Sequence, residues 1–208
     1  SNQMRQTKSM SPDYAIRWWG EHGTSPPRID PVEFLTSRLE WRYARGIPRC
    51  ESSTVYMGDS LIVLPRLAKQ IGRGERCRVR LLFTSPPYFG ITNYHYDQWL
   101  RLWLLGGPPH AKRNGDGLRG KFEHRARYRT LLEQVFGRTK PILHKDATVY
   151  VRTDARRFTR QTTIAVLRNL FPRKQLSIRR RPITGTTQTH LFGDFDKKVG
   201  EIDVILRP

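Results

Sequence analysis

Val79-Arg80-Leu81-Leu82-Phe83-Thr84-Ser85-Pro86-Pro87-Tyr88 runs from an apolar strand straight into a stiff, polar, aromatic-tipped loop. Val79 to Phe83 is too short for a helix and rich in strand formers, and two consecutive prolines end it. Upstream, Leu61, Leu64, Ala68 and Ile71 recur at helical spacing, with Asp59 or Ser60 as the N-cap. Pro65 inside that stripe predicts a short or kinked helix. Thr54 to Met57 reads as one more short strand before it. Strand, helix, strand is the pattern of an α/β fold.

The loop itself has a physical reading. Two prolines fix φ, so Ser85 and its carbonyl point outward from the carboxyl end of a strand, the edge where open α/β sheets bind ligands. Tyr88 offers an aromatic face on which a base taken out of its duplex can stack. The Ser85 hydroxyl and the carbonyls of Ser85 and Pro86 can accept hydrogen bonds from an exocyclic amine. Chemistry on such an amine asks for alignment and desolvation more than for a strong base. A control lies in the same chain. Thr24-Ser25-Pro26-Pro27 repeats four letters, but follows His22-Gly23 and ends in Arg28, so it reads as a plain loop.

At the N-terminal end, residues 1–30 read as an irregular arm with Trp18 and Trp19 as candidate anchors. Val32, Leu35, Leu39 and Tyr43 predict a helix from Pro31, ended by Gly46 and Pro48. The expected organisation is an N-terminal arm and helix over 1–50 and one catalytic domain over 51–208. In that domain Tyr96 to Leu105 is dense in Trp and Leu, and 107–127 is a basic loop insertion. Tyr128, Leu131, Leu132, Val135 and Phe136 form a helical stripe, as do Ile164, Leu167, Leu170 and Phe171. Ala147 to Val151, Leu176 to Ile178 and Ile202 to Leu206 read as strands.

Charge bounds the class of partner. The chain has 38 Lys+Arg against 18 Asp+Glu, a formal net charge of +20, which favours polyanions such as DNA or RNA. Residues 151–182 concentrate it, and Arg156, Arg157, Arg160, Arg179, Arg180 and Arg181 are the candidate phosphate contacts. A membrane partner is not expected: no apolar run nears the ~20 residues of a spanning helix, and no basic amphipathic helix or lipidation signal is evident. Without an apolar signal core in SNQMRQTKSM, and with Cys50 and Cys77 as the only cysteines, the expected location is cytoplasmic, with reduced thiols and no metal site.

The letters Tyr56-Met57-Gly58-Asp59-Ser60-Leu61, a gap, then Leu82-Phe83-Thr84-Ser85-Pro86-Pro87-Tyr88-Phe89-Gly90 resemble the amino-methyltransferases of DNA. The match is to the permuted class, whose catalytic loop precedes its cofactor loop. The resemblance runs from about residue 54 to the C-terminus, with specific letters only in 54–90. It implies a Rossmann-like, mostly parallel α/β sheet, or an incomplete version of that fold. It also implies methyl transfer from S-adenosylmethionine to an exocyclic amine of a flipped base in double-stranded DNA. The serine version of the loop favours N4 of cytosine over N6 of adenine. By that resemblance Ser85 contacts the amine within the Ser85-Pro86-Pro87-Tyr88 loop, Tyr88 stacks on the base, and Asp59 and Thr84 face the cofactor.

The chain departs from the family pattern in one respect. The family's cofactor loop, Phe-x-Gly-x-Gly, belongs downstream of the catalytic loop in this order, and the residues after Tyr88 do not supply it. Phe192-Gly193-Asp194 lacks the second glycine. A second subunit carrying that loop, a truncation, and a loss of catalysis all fit. Two rivals stand beside the enzyme. One is a non-catalytic DNA-binding protein on a methyltransferase remnant. The other is a metal-dependent nuclease built on Asp194, Asp196, Glu201 and Asp203, for which the expected lysine is missing, so these acids read as polar faces of a hairpin.

Overall fold

A computed structural model describes residues 12–25, 28–47, 52–90, 99–107, 123–181 and 200–208. The chain divides into two compact units, Met10–Met57 and Gly58–Pro208. Cys50, the 107–127 insertion apart from its ends, and Asp194 and Asp196 lie outside the described residues.

The first unit carries two helices. Helix α1 (Pro12–Glu21) corrects the expectation of a wholly irregular arm. Its C-terminal end is locally tied: His22 stacks on Trp18, with ring centroids 4.2 Å apart, and bonds the Trp18 carbonyl through Nδ1 at 2.8 Å. Helix α2 (Pro31–Tyr43) starts where Pro31 placed it, with the Asp30 carboxylate accepting from the Val32 and Glu33 N–H groups at 2.7 and 3.2 Å. Its apolar positions Val32, Leu35 and Leu39 are exposed. The strand expected over Thr54 to Met57 does not form; Val55 and Met57 stand in solvent and lack a described neighbouring strand, which an extended segment needs to be stable.

The second unit is a mixed α/β domain. Its elements are α3 (Ser60–Gly72), β1 (Val79–Thr84), α4 (Trp99–Leu104), α5 (Arg125–Thr139), β2 (Leu143–Asp154), α6 (Arg157–Leu170), β3 (Gln175–Arg181) and β4 (Glu201–Arg207). The four strands form one sheet in the order β1-β2-β4-β3. β1 pairs with β2 in parallel, whereas β4 is antiparallel to both β2 and β3. The α/β class is as expected, but a mostly parallel sheet is not what forms, since two of the three ladders are antiparallel. The reason is the last strand: β4 inserts between β2 and β3 and reverses direction, while β1, β2 and β3 all point one way.

Helix α3 runs through Pro65 for 13 residues, so it is not the short helix that Pro65 suggested. Pro65 has no N–H to offer the Leu61 carbonyl four residues back. The Arg138 guanidinium of α5 donates to that carbonyl instead, so the helix continues with its orphaned acceptor satisfied.

The core packs helices against one face of the sheet. Ile71 of α3, Tyr128, Leu132 and Phe136 of α5, and Val166 and Leu167 of α6 cluster with Val149, Val151, Val204 and Leu206. Leu82, opposite Val149 in the register, joins that side. Strand alternation sends Leu81 and Phe83 to the other face, where they are 57% and 67% exposed. Phe83 stacks on Tyr150 there, at 5.0 Å between centroids.

Candidate functional site

The register of the sheet determines which chain segments meet. Thr84, the last residue of β1, pairs with Val151 near the end of β2. Asp154, the last residue of β2, pairs with Glu201, the first residue of the reversed β4, and Glu201 pairs with Arg181, the last of β3. One edge of the sheet therefore gathers the Ser85–Tyr88 loop, Asp154 and its following turn, Arg181, and Glu201. This is the carboxyl edge of the parallel pair, the position at which α/β sheets hold ligands.

The loop is fixed from behind by buried groups. Tyr128 of α5 has no solvent exposure and donates its hydroxyl to the Pro87 carbonyl at 3.0 Å. Burial pushes that hydroxyl up to about 12, and the Asp154 charge adds to it against the Thr163 and Thr153 hydroxyls. Phe89 packs edge-on against Phe158 of α6, with centroids 4.6 Å apart, and against Tyr128 at 5.6 Å. Arg156, at the turn into α6, donates to the Phe89 carbonyl at 2.7 Å and is itself gripped by Asp154, whose carboxylate bonds both its backbone N–H and its guanidinium. Two carbonyls of the motif are thus tied to the fold. Ser85 stays exposed at the front.

Tyr88 is half-buried and donates its hydroxyl to Glu201 Oε1 at 2.6 Å. Its phenol is pushed up to about 12, chiefly by burial and then by the bond to Glu201, while the nearby Ser85 hydroxyl opposes the shift. Behind Glu201 stands an ionic cluster. Asp203 is fully buried and accepts from Arg152 Nε at 2.8 Å and from Arg181 Nε at 2.8 Å. The Arg152 guanidinium holds the Asp203 carboxyl well below the usual carboxylate range, although burial pulls the other way. Arg152 also lies 3.7 Å from Glu201 Oε2 and donates to the Tyr150 hydroxyl at 3.2 Å.

The residues singled out in the sequence separate into three groups. Ser85, Pro86, Pro87 and Tyr88 do sit together at the strand-end edge. Asp59 is the N-cap of α3, its carboxylate accepting from the Leu61 N–H at 2.8 Å, and Gly58 before it adopts φ +139°, a value that L side chains rarely reach. Gly58-Asp59-Ser60 is thus a helix entry in this structure. Among the arginines, Arg156 is half-buried and tied to Asp154 and Phe89, Arg181 is exposed but paired with Asp203, Arg160 is half-buried, and Arg157, Arg179 and Arg180 are exposed. Sequence reasoning missed Glu201 as a partner of the loop. It registered the alternation Glu201-Ile202-Asp203-Val204 only as the polar face of a hairpin, or a remote metal set. Among the described residues no cluster of His, Cys, Asp and Glu could hold a metal ion.

No protein-family model matches the chain, and neither does any curated protein. Among the described residues no helix is long and apolar enough to cross a membrane.

Proposed function

We propose that this chain holds a base flipped out of double-stranded DNA at the Ser85–Tyr88 loop, and that it is the catalytic half of an amino-group DNA methyltransferase. The methyl group comes from S-adenosylmethionine and goes to an exocyclic amine, N4 of cytosine before N6 of adenine. The observation that carries the reading is the placement of the loop. Thr84–Tyr88 leaves the carboxyl end of a strand in a parallel pair, braced from behind by Tyr128 and Arg156, with Ser85 exposed at its front. A rigid, aromatic-bearing loop with an outward hydroxyl suits a base and its amine. In this view the domain is a Rossmann-like sheet in which β1 and β2 supply the ligand-binding edge.

The residues expected to face the methyl donor do not by themselves fit it. Asp59 commits a carboxylate oxygen to capping α3, and Thr84, the last residue of β1, is followed by Ser85-Pro86-Pro87 instead of a glycine-rich turn. We therefore assign the donor to another component, a second subunit or segment bearing Phe-x-Gly-x-Gly. The exposed Arg157, Arg179 and Arg180 are the proposed phosphate contacts, and the formal charge of +20 supplies the general attraction to DNA.

The test is binding to a short duplex whose target cytosine faces an abasic site, against the fully paired duplex. The unpaired cytosine should bind roughly tenfold tighter, because the cost of unpairing is already met. Tyr88→Ala should remove most of that preference, since stacking is worth about 1–3 kcal/mol per base. Equal affinity for the two duplexes, unchanged by Tyr88→Ala and Ser85→Ala, sinks the base-holding reading. Labelled-methyl transfer into DNA, with and without a Phe-x-Gly-x-Gly protein, then separates an enzyme from a DNA-binding remnant.

A further inference from the structure

The backbone on either side of Tyr88 is tied to the fold. The Pro87 carbonyl accepts from the buried Tyr128 hydroxyl at 3.0 Å, and the Phe89 carbonyl accepts from Arg156 at 2.7 Å. What remains free to the residue is rotation of the ring about its side-chain bonds. A third tie acts at the tip: the phenol donates to Glu201 Oε1 at 2.6 Å, across 113 residues of sequence. A tyrosine held at both backbone neighbours and at its hydroxyl has little rotation left. Tyr88 is nevertheless only half-buried, so the ring is held without being sealed in. We propose that Glu201 is a positioning residue for the base: its carboxylate fixes the Tyr88 ring where a flipped base stacks, so that binding does not have to order the ring. This rests on the base-holding reading above and adds to it the residue that prepares the stacking surface.

Glu201 is itself held in place. It is the first residue of β4, paired with Asp154 of β2 and with Arg181 of β3, so its backbone lies in two ladders. Its second carboxylate oxygen lies 3.7 Å from Arg152 Nε. Arg152 donates in turn to Asp203, which is fully buried and is also bonded by Arg181. The Glu201 carboxylate thus stands between an anchored cation and the phenol. That phenol stays a donor across the neutral range, because burial first and the Glu201 bond second push it up to about 12. A side chain that must be immobilised on binding weakens the complex relative to one already in place. Preorganisation of this kind helps only the partner that stacks. It favours a base free to leave its helix and gives nothing to a paired duplex lying on the surface.

The test measures, with the full chain, the ratio of affinities for a duplex whose target cytosine faces an abasic site and for the fully paired duplex. Removing a carboxylate from the DNA-facing edge strengthens binding to both duplexes alike, and the ratio cancels that effect. Glu201→Ala and Tyr88→Phe should each lower the roughly tenfold wild-type ratio by about fivefold, the factor for ordering one side chain. The two together should lower it no further, since either change cuts the same bond. Glu201→Gln carries the same charge as Glu201→Ala but can still bond the phenol, and it should bring the ratio back toward wild type. A general structural role for Glu201 would move both affinities together and would not be rescued by glutamine. A ratio unchanged in Glu201→Ala and Tyr88→Phe, or additive losses in the pair, overturns the proposal while base-holding stands. So does a ratio that rises, as it would for a ring held out of the base's way. If the wild-type chain shows no preference for the unpaired cytosine, the underlying reading has failed instead.

Discussion

Tyr128→Phe removes a single oxygen from the centre of the domain, and the structure says what that oxygen does. The side chain has no exposure, and its hydroxyl donates to the Pro87 carbonyl at 3.0 Å. The ring contacts to Phe89 at 5.6 Å and Phe158 at 6.0 Å survive the substitution, so no large cavity opens. What is lost is one buried hydrogen bond, with a proline carbonyl left without that donor, which costs about 1–3 kcal/mol. At roughly 2–4 °C per kcal/mol for a domain of this size, the thermal midpoint at pH 7 should fall by about 2–12 °C. The same hydroxyl gives an alkaline signature. Burial raises it to about 12, above the unfolded value of ~10, so its contribution is complete below pH 10 and is lost as pH rises toward 12. Two pKa units correspond to about 2–3 kcal/mol, so the wild-type protein should lose that much more stability than Tyr128→Phe between pH 10 and 12. Calorimetric melting of both proteins at pH 7 and across the alkaline range measures each part. A midpoint at pH 7 within a degree of wild type would show that the Tyr128 bond does not brace the loop, and parallel alkaline curves would show that burial does not raise its hydroxyl.

Two other perturbations probe the frame around the site. Asp203→Asn leaves Arg152 and Arg181 facing each other without the buried carboxylate, and should cost about 3 kcal/mol in denaturant unfolding at pH 7. Because the Asp203 carboxyl is held below its usual range, its contribution is present above the unfolded pKa and is lost as pH falls through the folded one. Acid should accordingly destabilise wild type more steeply than Asp203→Asn below about pH 4, and equal slopes would count against the cluster. Arg138→Ala should cost about 0.5–1 kcal/mol beside Pro65, since an exposed carbonyl loses its protein donor and turns to water. In a Pro65→Ala background the helix supplies its own N–H, and the same change should cost close to nothing. Additive effects in that double-mutant cycle would refute the compensation.

Much of the second unit was legible because its elements carry strong periodicity. The stripe Tyr128, Leu132, Phe136 and the run Ile202 to Leu206 are buried where their spacing places them. Illegible features depended on partners far away in sequence. Nothing local shows that β4 would slip between β2 and β3 and run backwards, and this alone converts a parallel reading into a mixed sheet. Pro65 pointed to a short or kinked helix because the donor that replaces its missing N–H sits on a different helix, in Arg138. Thr54 to Met57 has strand-forming letters, but propensity is weak without a neighbour to pair with. α1 was hidden by its length: Tyr14, Ala15, Trp18 and Trp19 stand at helical spacing, but over only ten residues, and its C-terminal end is secured by the local stacking of His22 on Trp18.

The candidate site shows the same division between what a motif says and what a fold adds. Ser85-Pro86-Pro87-Tyr88 is a local feature, and its stiffness and outward hydroxyl follow from the residues themselves. The partner of the Tyr88 hydroxyl does not. That partner is Glu201, 113 residues away, which reaches the carboxyl edge only because β4 is reversed. Had β4 run parallel to β2, its first residue would lie at the opposite edge and Tyr88 would have no carboxylate there. The departure from a parallel sheet is therefore tied to the chemistry of the loop: the strand that breaks the pattern is the one that brings the acceptor.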